Sequence, residues 1–171
     1  MATGNSQEII DYKLQAMNAI INQENIVKAI NAKDSFGDLI EAGDLFYTHI
    51  FPYAYIPETL DVAGCYITFE ISMPSVSTVN YFFKEILITI TIICHQGMMQ
   101  MKEDEPLGST GATRTDYISV AIDKLFNLKN DVIGKRKLEL VSNIEGAIDP
   151  VHRCRIMRFK TEAPVKTICQ E

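Results

Sequence analysis

The sequence predicts an α+β domain in which a mostly antiparallel sheet of about four strands carries helices packed on one face. Three observations lead there. Segments 65–73 and 85–95 alternate side-chain character with period two and are rich in β-branched residues, the mark of strands. Segment 114–128 repeats apolar residues at helical spacing behind a capping signal. Only this helix lies between two pairs of strands, which argues against repeated βαβ units and a doubly wound sheet.

Taking the elements in order, Asn5 and Glu8 have the spacing of a capping box, and Ile10, Leu14, Met17 and Ile21 then recur on one helical stripe. Asn22-Gln23-Glu24-Asn25 interrupts this helix, and Ile26, Val27 and Ile30 continue its apolar face. Segment 38–50 presents Leu39, Leu45, Phe46 and Ile50 as a second short helical stretch, weakened by Gly43. Pro52 and Pro57 mark an extended passage. In 65–73, Cys65, Ile67, Phe69, Ile71 and Met73 share one face, opposite Tyr66, Thr68, Glu70 and Ser72. In 85–95, Ile86, Ile88, Ile90, Ile92 and Cys94 do the same, opposite Leu87, Thr89, Thr91 and Ile93. Residues 97–112 read as an exposed loop, Met-rich, then acidic at Glu103, Asp104 and Glu105, then Gly-Ser-Thr-Gly. Thr113 and Asp116 form a second capping box, and Ile118, Ala121, Ile122, Leu125 and Phe126 line the helix behind it. Segments 137–145 and 152–161 complete a hairpin across 146–151. The expected organisation is a single domain over 1–171: a helical region (1–62), a sheet-plus-helix core (63–161) and a loose tail (162–171).

A chain of 171 residues buries roughly 70% of its unfolded surface and needs neither disulfide nor metal to fold. Its net charge of −6 argues against general or sequence-specific nucleic-acid binding, which draws on surplus Lys and Arg. The charge is uneven: nine acids face three bases in 1–62, and five acids face eight bases in 132–171. Such ends attract one another within a chain or between copies. Cys65, Cys94, Cys154 and Cys169 are widely spaced, without a Cys-x-x-Cys pair, and suit a reducing compartment. The opening residues lack a basic and apolar signal peptide, and the longest apolar run, 86–94, is far shorter than the roughly 20 residues of a membrane helix. An intracellular protein, neither exported by a standard signal nor anchored, is the expectation.

Catalytic chemistry is hard to build from these residues. Cys94 and His95 are strand neighbours and point to opposite faces, so they cannot join His152 and Cys154 around one zinc ion. Gly108-Ser109-Thr110-Gly111 precedes a helix, where amides can hold phosphate, but lacks the lysine of a P-loop. No Gly-x-Ser-x-Gly elbow occurs, and His152 two residues from Cys154 is a weak nucleophile signal. No enzyme activity, cofactor or metal is expected. The residues that stand out are cationic: Arg153, Arg155, Arg158 and Lys160 place positive charge on both faces of one short strand. This reads as protection of an edge strand, as a partner-facing surface, or as both. With the acid triplet Glu103, Asp104 and Glu105 they form the candidate interface.

Several phrases then occur together: Ile50-Phe51-Pro52-Tyr53 with Ile56-Pro57-Glu58, Ile92-Ile93-Cys94-His95, Arg114-Thr115-Asp116-Tyr117-Ile118 through Ile122-Asp123-Lys124-Leu125-Phe126, and Ile133-Gly134-Lys135 with Lys137-Leu138. In this order, over about 22–161, the chain resembles the tail-terminator (tail-completion) proteins of the tailed-bacteriophage neck. The resemblance implies a structural virion protein made in the bacterial cytoplasm. It also implies a homo-oligomeric ring, usually a hexamer, that caps the tail tube protein and meets a head-completion or connector protein. Other readings are a head-closure or adaptor protein of the same neck, a cytosolic protein-binding adaptor, and a small enzyme.

Overall fold

The computed structural model describes residues 5–33, 37–57, 63–73, 83–101, 112–130, 132–133 and 137–164. Helix α1 (Asn5–Ile21) is followed, after a break at Asn22 and Gln23, by α2 (Glu24–Ile30). Strands β1 (Ile50–Phe51), β2 (Cys65–Ser72) and β3 (Phe83–His95) come next, then α3 (Arg114–Phe126), β4 (Glu139–Ala147) and β5 (His152–Pro164). Both anticipated helices form, and the polar tetrapeptide interrupts the first as expected, but α1 turns a different stripe inward: Ala16, Met17 and Ile20 are buried, whereas Ile10 and Leu14 are each 52% exposed. The sheet runs in the order β1-β2-β3-β5-β4. All its pairings are antiparallel except that of β1 with β2.

The alternation in the strands becomes two different environments. Ile67, Phe69, Ile88, Ile90, Ile92, Met157 and Phe159 face the helices and are fully buried with Ile20, Ile30, Ile118, Ile122 and Phe126. Leu125 packs against the same core, only partly covered. On the opposite face a smaller cluster forms at one end, where Phe51, Tyr66, Ile93 and Cys154 are buried beside Tyr55 and Ile156. The Phe51 and Tyr55 rings stack with centroids 4.0 Å apart.

Three further expectations are corrected. Segment 38–50 is not an α-helix: a 3-10 turn at Ala42–Leu45 gives way to β1. Gly43 supplies weak propensity there, and Tyr47 adopts a left-handed φ of 59° that ends any helix while its amide bonds to Ile50 O at 2.9 Å. The sheet therefore gains a fifth, parallel strand. The stretch after β3 is not exposed throughout, since Met101 is 3% accessible and Gln100 bridges to Thr113; residues 102–111, with Glu103, Asp104 and Glu105, lie outside the described residues. Finally, β5 is an interior strand between β3 and β4, so its cations do not protect an edge; the edge is β4.

Two buried charges tie the layers together. Glu8 of α1 and Lys84 of β3 form an ion pair with side chains 8% and 2% accessible. Arg114, in the first turn of α3, donates from Nε to Met98 O at 2.7 Å and from Nη1 to Ala29 O at 2.6 Å. A cation at a helix N-terminus opposes the helix dipole. The two carbonyls, one of them in the last turn of α2 where intrahelical donors run out, offset that cost.

Candidate interface

The four cations of β5 take three different roles. Arg155 turns toward the helices and pairs with Asp116 of α3 and, at 3.8 Å, with Glu145 of β4; its Nη1 also donates to Asn143 Oδ1 at 3.3 Å. An interior strand accommodates a guanidinium here because acceptors meet both of its terminal nitrogens, although its buried Nε has no hydrogen-bond partner. Lys160 lies on the other face, 3.4 Å from Glu139 across the β4–β5 ladder. Arg153 and Arg158 are exposed, and neither has an ion pair among the described residues.

Asp116 shows how sequence builds this corner. Its Oδ2 accepts from the Thr113 amide at 3.1 Å and from the Thr113 hydroxyl at 2.6 Å, completing the capping box; Oδ1 takes Arg155. One carboxylate thus starts α3 and anchors it to the sheet. Burial pulls the carboxyl upward, but the Thr113 donors and Arg155 outweigh it and leave it below its ordinary value. A folded-state pKa below the unfolded one gives stability that is present above the unfolded value, near 3.9, and lost as pH falls through the folded value. Melting temperature measured from pH 7 to pH 2 should therefore fall less steeply below about pH 4 for Asp116→Asn than for wild type. The variant should also start lower at neutral pH. Parallel acid limbs would refute this role.

At the edge, β4 places Val141 and Ile144 half-exposed, 53% each, and Ile148 follows in the turn. A bulge between Leu140 and Ser142 twists the ladder. Beyond β1, at the opposite side of the sheet, the chain carries Asp38, Glu41 and Asp44, all exposed, around Leu39 and Tyr47 at 57% and 64% accessibility. The border beyond β1 is thus acidic around apolar side chains, whereas the β4 edge sets Val141 and Ile144 among Glu139 and Glu145, with the cations one strand further in on β5. The uneven charge was readable from the sequence. Its placement was not, because 38–47 looked helical and the strand order is not written in the residues.

Among the described residues the histidines do not activate a cysteine as a nucleophile. The Asp149 carboxylate accepts from the Val151 and His152 amides, both at 2.8 Å, and its other oxygen lies 2.8 Å from His152 Nδ1, fixing the turn before β5. Cys154 shares a face with His152, yet burial and the Glu145 charge push its thiol upward, the reverse of what a thiolate nucleophile needs. Cys94 lies in the main core, while the His95 ring meets His152 edge-on across the other face, centroids 5.3 Å apart. Among the described residues, no three His, Cys, Asp or Glu side chains cluster with metal-ligand geometry, and no helix is long and apolar enough to cross a membrane. A groove of about 490 Å³ at the far end of β5 is lined by mixed charges, Glu85, Lys137, Glu139, Lys160 and Glu162 among them.

A family model described as YomW matches residues 23–161, which take in β1 to β4 whole and β5 as far as Thr161. No curated protein and no solved structure matches the chain.

Proposed function

Because the chain belongs to the YomW family, a family of phage-type gene products, we propose that it is a structural virion protein of the phage neck, a tail terminator. In this reading its copies close into a ring, a hexamer in the family it resembles, that caps the tail tube and meets the head-completion or connector protein. One observation supports it above the others. A head-to-tail ring needs two different, complementary surfaces on each subunit, and opposite borders of this sheet carry such a pair. Asp38, Glu41 and Asp44 surround Leu39 and Tyr47 at one border; at the other Val141 and Ile144 of β4 are half-exposed, and the neighbouring β5 adds the exposed Arg153 and Arg158, one on each face of the sheet. Pairing them between copies covers the apolar side chains and shields the open edge of β4, which an isolated monomer leaves available to any passing strand.

Reversal of the charges tests this contact. Arg153→Glu with Arg158→Glu should leave the melting temperature close to wild type, since both side chains are exposed. The assembly midpoint, followed by size-exclusion chromatography with light scattering, should move about 5–30-fold to higher concentration, because exposed pairs contribute up to about 1 kcal/mol each. The shift should shrink as salt is raised past 0.1 M, where screening acts over roughly 10 Å. Asp38→Lys, Glu41→Lys and Asp44→Lys together should weaken assembly similarly, and a protein carrying both reversals should regain it. Particles that assemble at wild-type yield with either reversal, or a chain that stays monomeric alone and with tail tubes, would rule out the ring contact.

A further inference from the structure

Cys65 and Cys94 stand directly opposite one another in the β2–β3 ladder, and both are fully buried. The kind of pair they form follows from the next rung. His95 N donates to Gly64 O at 2.9 Å, so Gly64 and His95 are a hydrogen-bonded pair and Cys65 and Cys94 are a non-hydrogen-bonded one. At such a rung the Cα atoms are about 4.5 Å apart and the side chains lean together. A disulfide accepts Cα separations of about 4.4–6.8 Å. Cys154 is on the other face of the sheet, in the smaller cluster, and cannot compete for either thiol without unfolding β5.

We infer that Cys65 and Cys94 are a disulfide-forming site, reduced in a thiol-rich cytosol and closed into a cross-strand bridge in an oxidising medium. The inference rests on strand register and does not depend on the ring. The oxidant is a small-molecule disulfide such as oxidised glutathione. One cysteine thiolate attacks it and displaces a glutathione thiolate, which takes up the proton the cysteine lost. The second cysteine then attacks the mixed disulfide, forming the protein S–S bond and releasing a second glutathione thiol. The protein pair is oxidised by two electrons and the glutathione disulfide is reduced by the same two. Closure should be slow. Both thiols are sealed in the core, and the neighbouring Cys94 thiol, together with burial, pushes the Cys65 thiol well above its ordinary value, so little thiolate exists until the strand end opens.

The test uses the full chain incubated with oxidised glutathione, with and without sub-denaturing urea, followed by thiol alkylation and non-reducing peptide mass spectrometry. The expected product is two hydrogens lighter, with the Cys65 and Cys94 peptides linked and formation faster in urea. Its melting temperature should be raised by roughly 5–10 °C, the scale for a cross-link in a domain of this size. A Cys154→Ser, Cys169→Ser protein should behave identically, since neither cysteine takes part. Four alkylatable thiols persisting at equilibrium, a stable glutathione adduct at Cys65 or Cys94, or linkage through Cys154 or Cys169 would each overturn the assignment.

Discussion

Replacing Lys84 with methionine should cost about 3–5 kcal/mol of folding stability, because it leaves the Glu8 carboxylate in the core without its ammonium partner. Both side chains are almost fully enclosed between α1 and β3, so water cannot take over the lost interaction. Glu8→Leu alone should cost a similar amount by stranding the lysine. The double variant, Glu8→Leu with Lys84→Met, should come back to within about 1–2 kcal/mol of wild type, because an apolar pair of similar volume avoids the desolvation that the ion pair only partly offsets. Urea unfolding of the four proteins in a double-mutant cycle measures the coupling directly. Single variants within about 0.5 kcal/mol of wild type would mean that the two charges are solvated in solution and that the α1–β3 contact is looser than described.

Arg114→Ala should be at least as damaging. Its guanidinium satisfies carbonyls from two separate segments, Ala29 in α2 and Met98 after β3. Hydrogen bonds to a charged donor contribute about 1.5–3 kcal/mol each, so losing both predicts a loss of about 3–6 kcal/mol. Arg114→Lys should recover at most half, since a single ammonium on a flexible stem cannot reproduce the planar fork that spans the two acceptors. Hydrogen exchange gives the spatial signature: amides of α2 should lose protection more than those of β4, which does not touch the clamp. Uniform loss across the sheet would instead make Arg114 a general packing residue.

What could be read from the sequence, and what could not, divides along the range of the interaction. Alternation in 65–72 and 85–95, and the stripe Ile118, Ile122 and Phe126, depend on neighbours within a few residues, and the structure places those side chains in the core as expected. The Thr113–Asp116 box is equally local and forms as its spacing implies. The buried pair of Glu8 with Lys84 joins residues 76 apart, and the Arg114 clamp reaches back 85 residues to Ala29. In the sequence each of these looks like an ordinary surface charge. The basic strand is misread for the same reason: in the sequence Arg155 looks like the three cations around it, because its partner Asp116 belongs to another element. Strand order carried the remaining error, since nothing in residues 152–161 reveals that β5 lies inside β4.

The sheet order has a consequence for how the protein is made. The ribosome releases β4 before β5, yet β4 is joined to the rest of the sheet only through β5. Until residues 152–164 have emerged from the exit tunnel, β3 has an unpaired flank and β4 has no companion strand. The nascent chain must hold β2, β3 and the helices as an incomplete intermediate, its greasy inner surface open to chaperones. Insertion of β5 then closes both gaps in a single late step. A product truncated before this strand lacks Arg153 and Arg158 and leaves β4 with no strand to join it to the sheet.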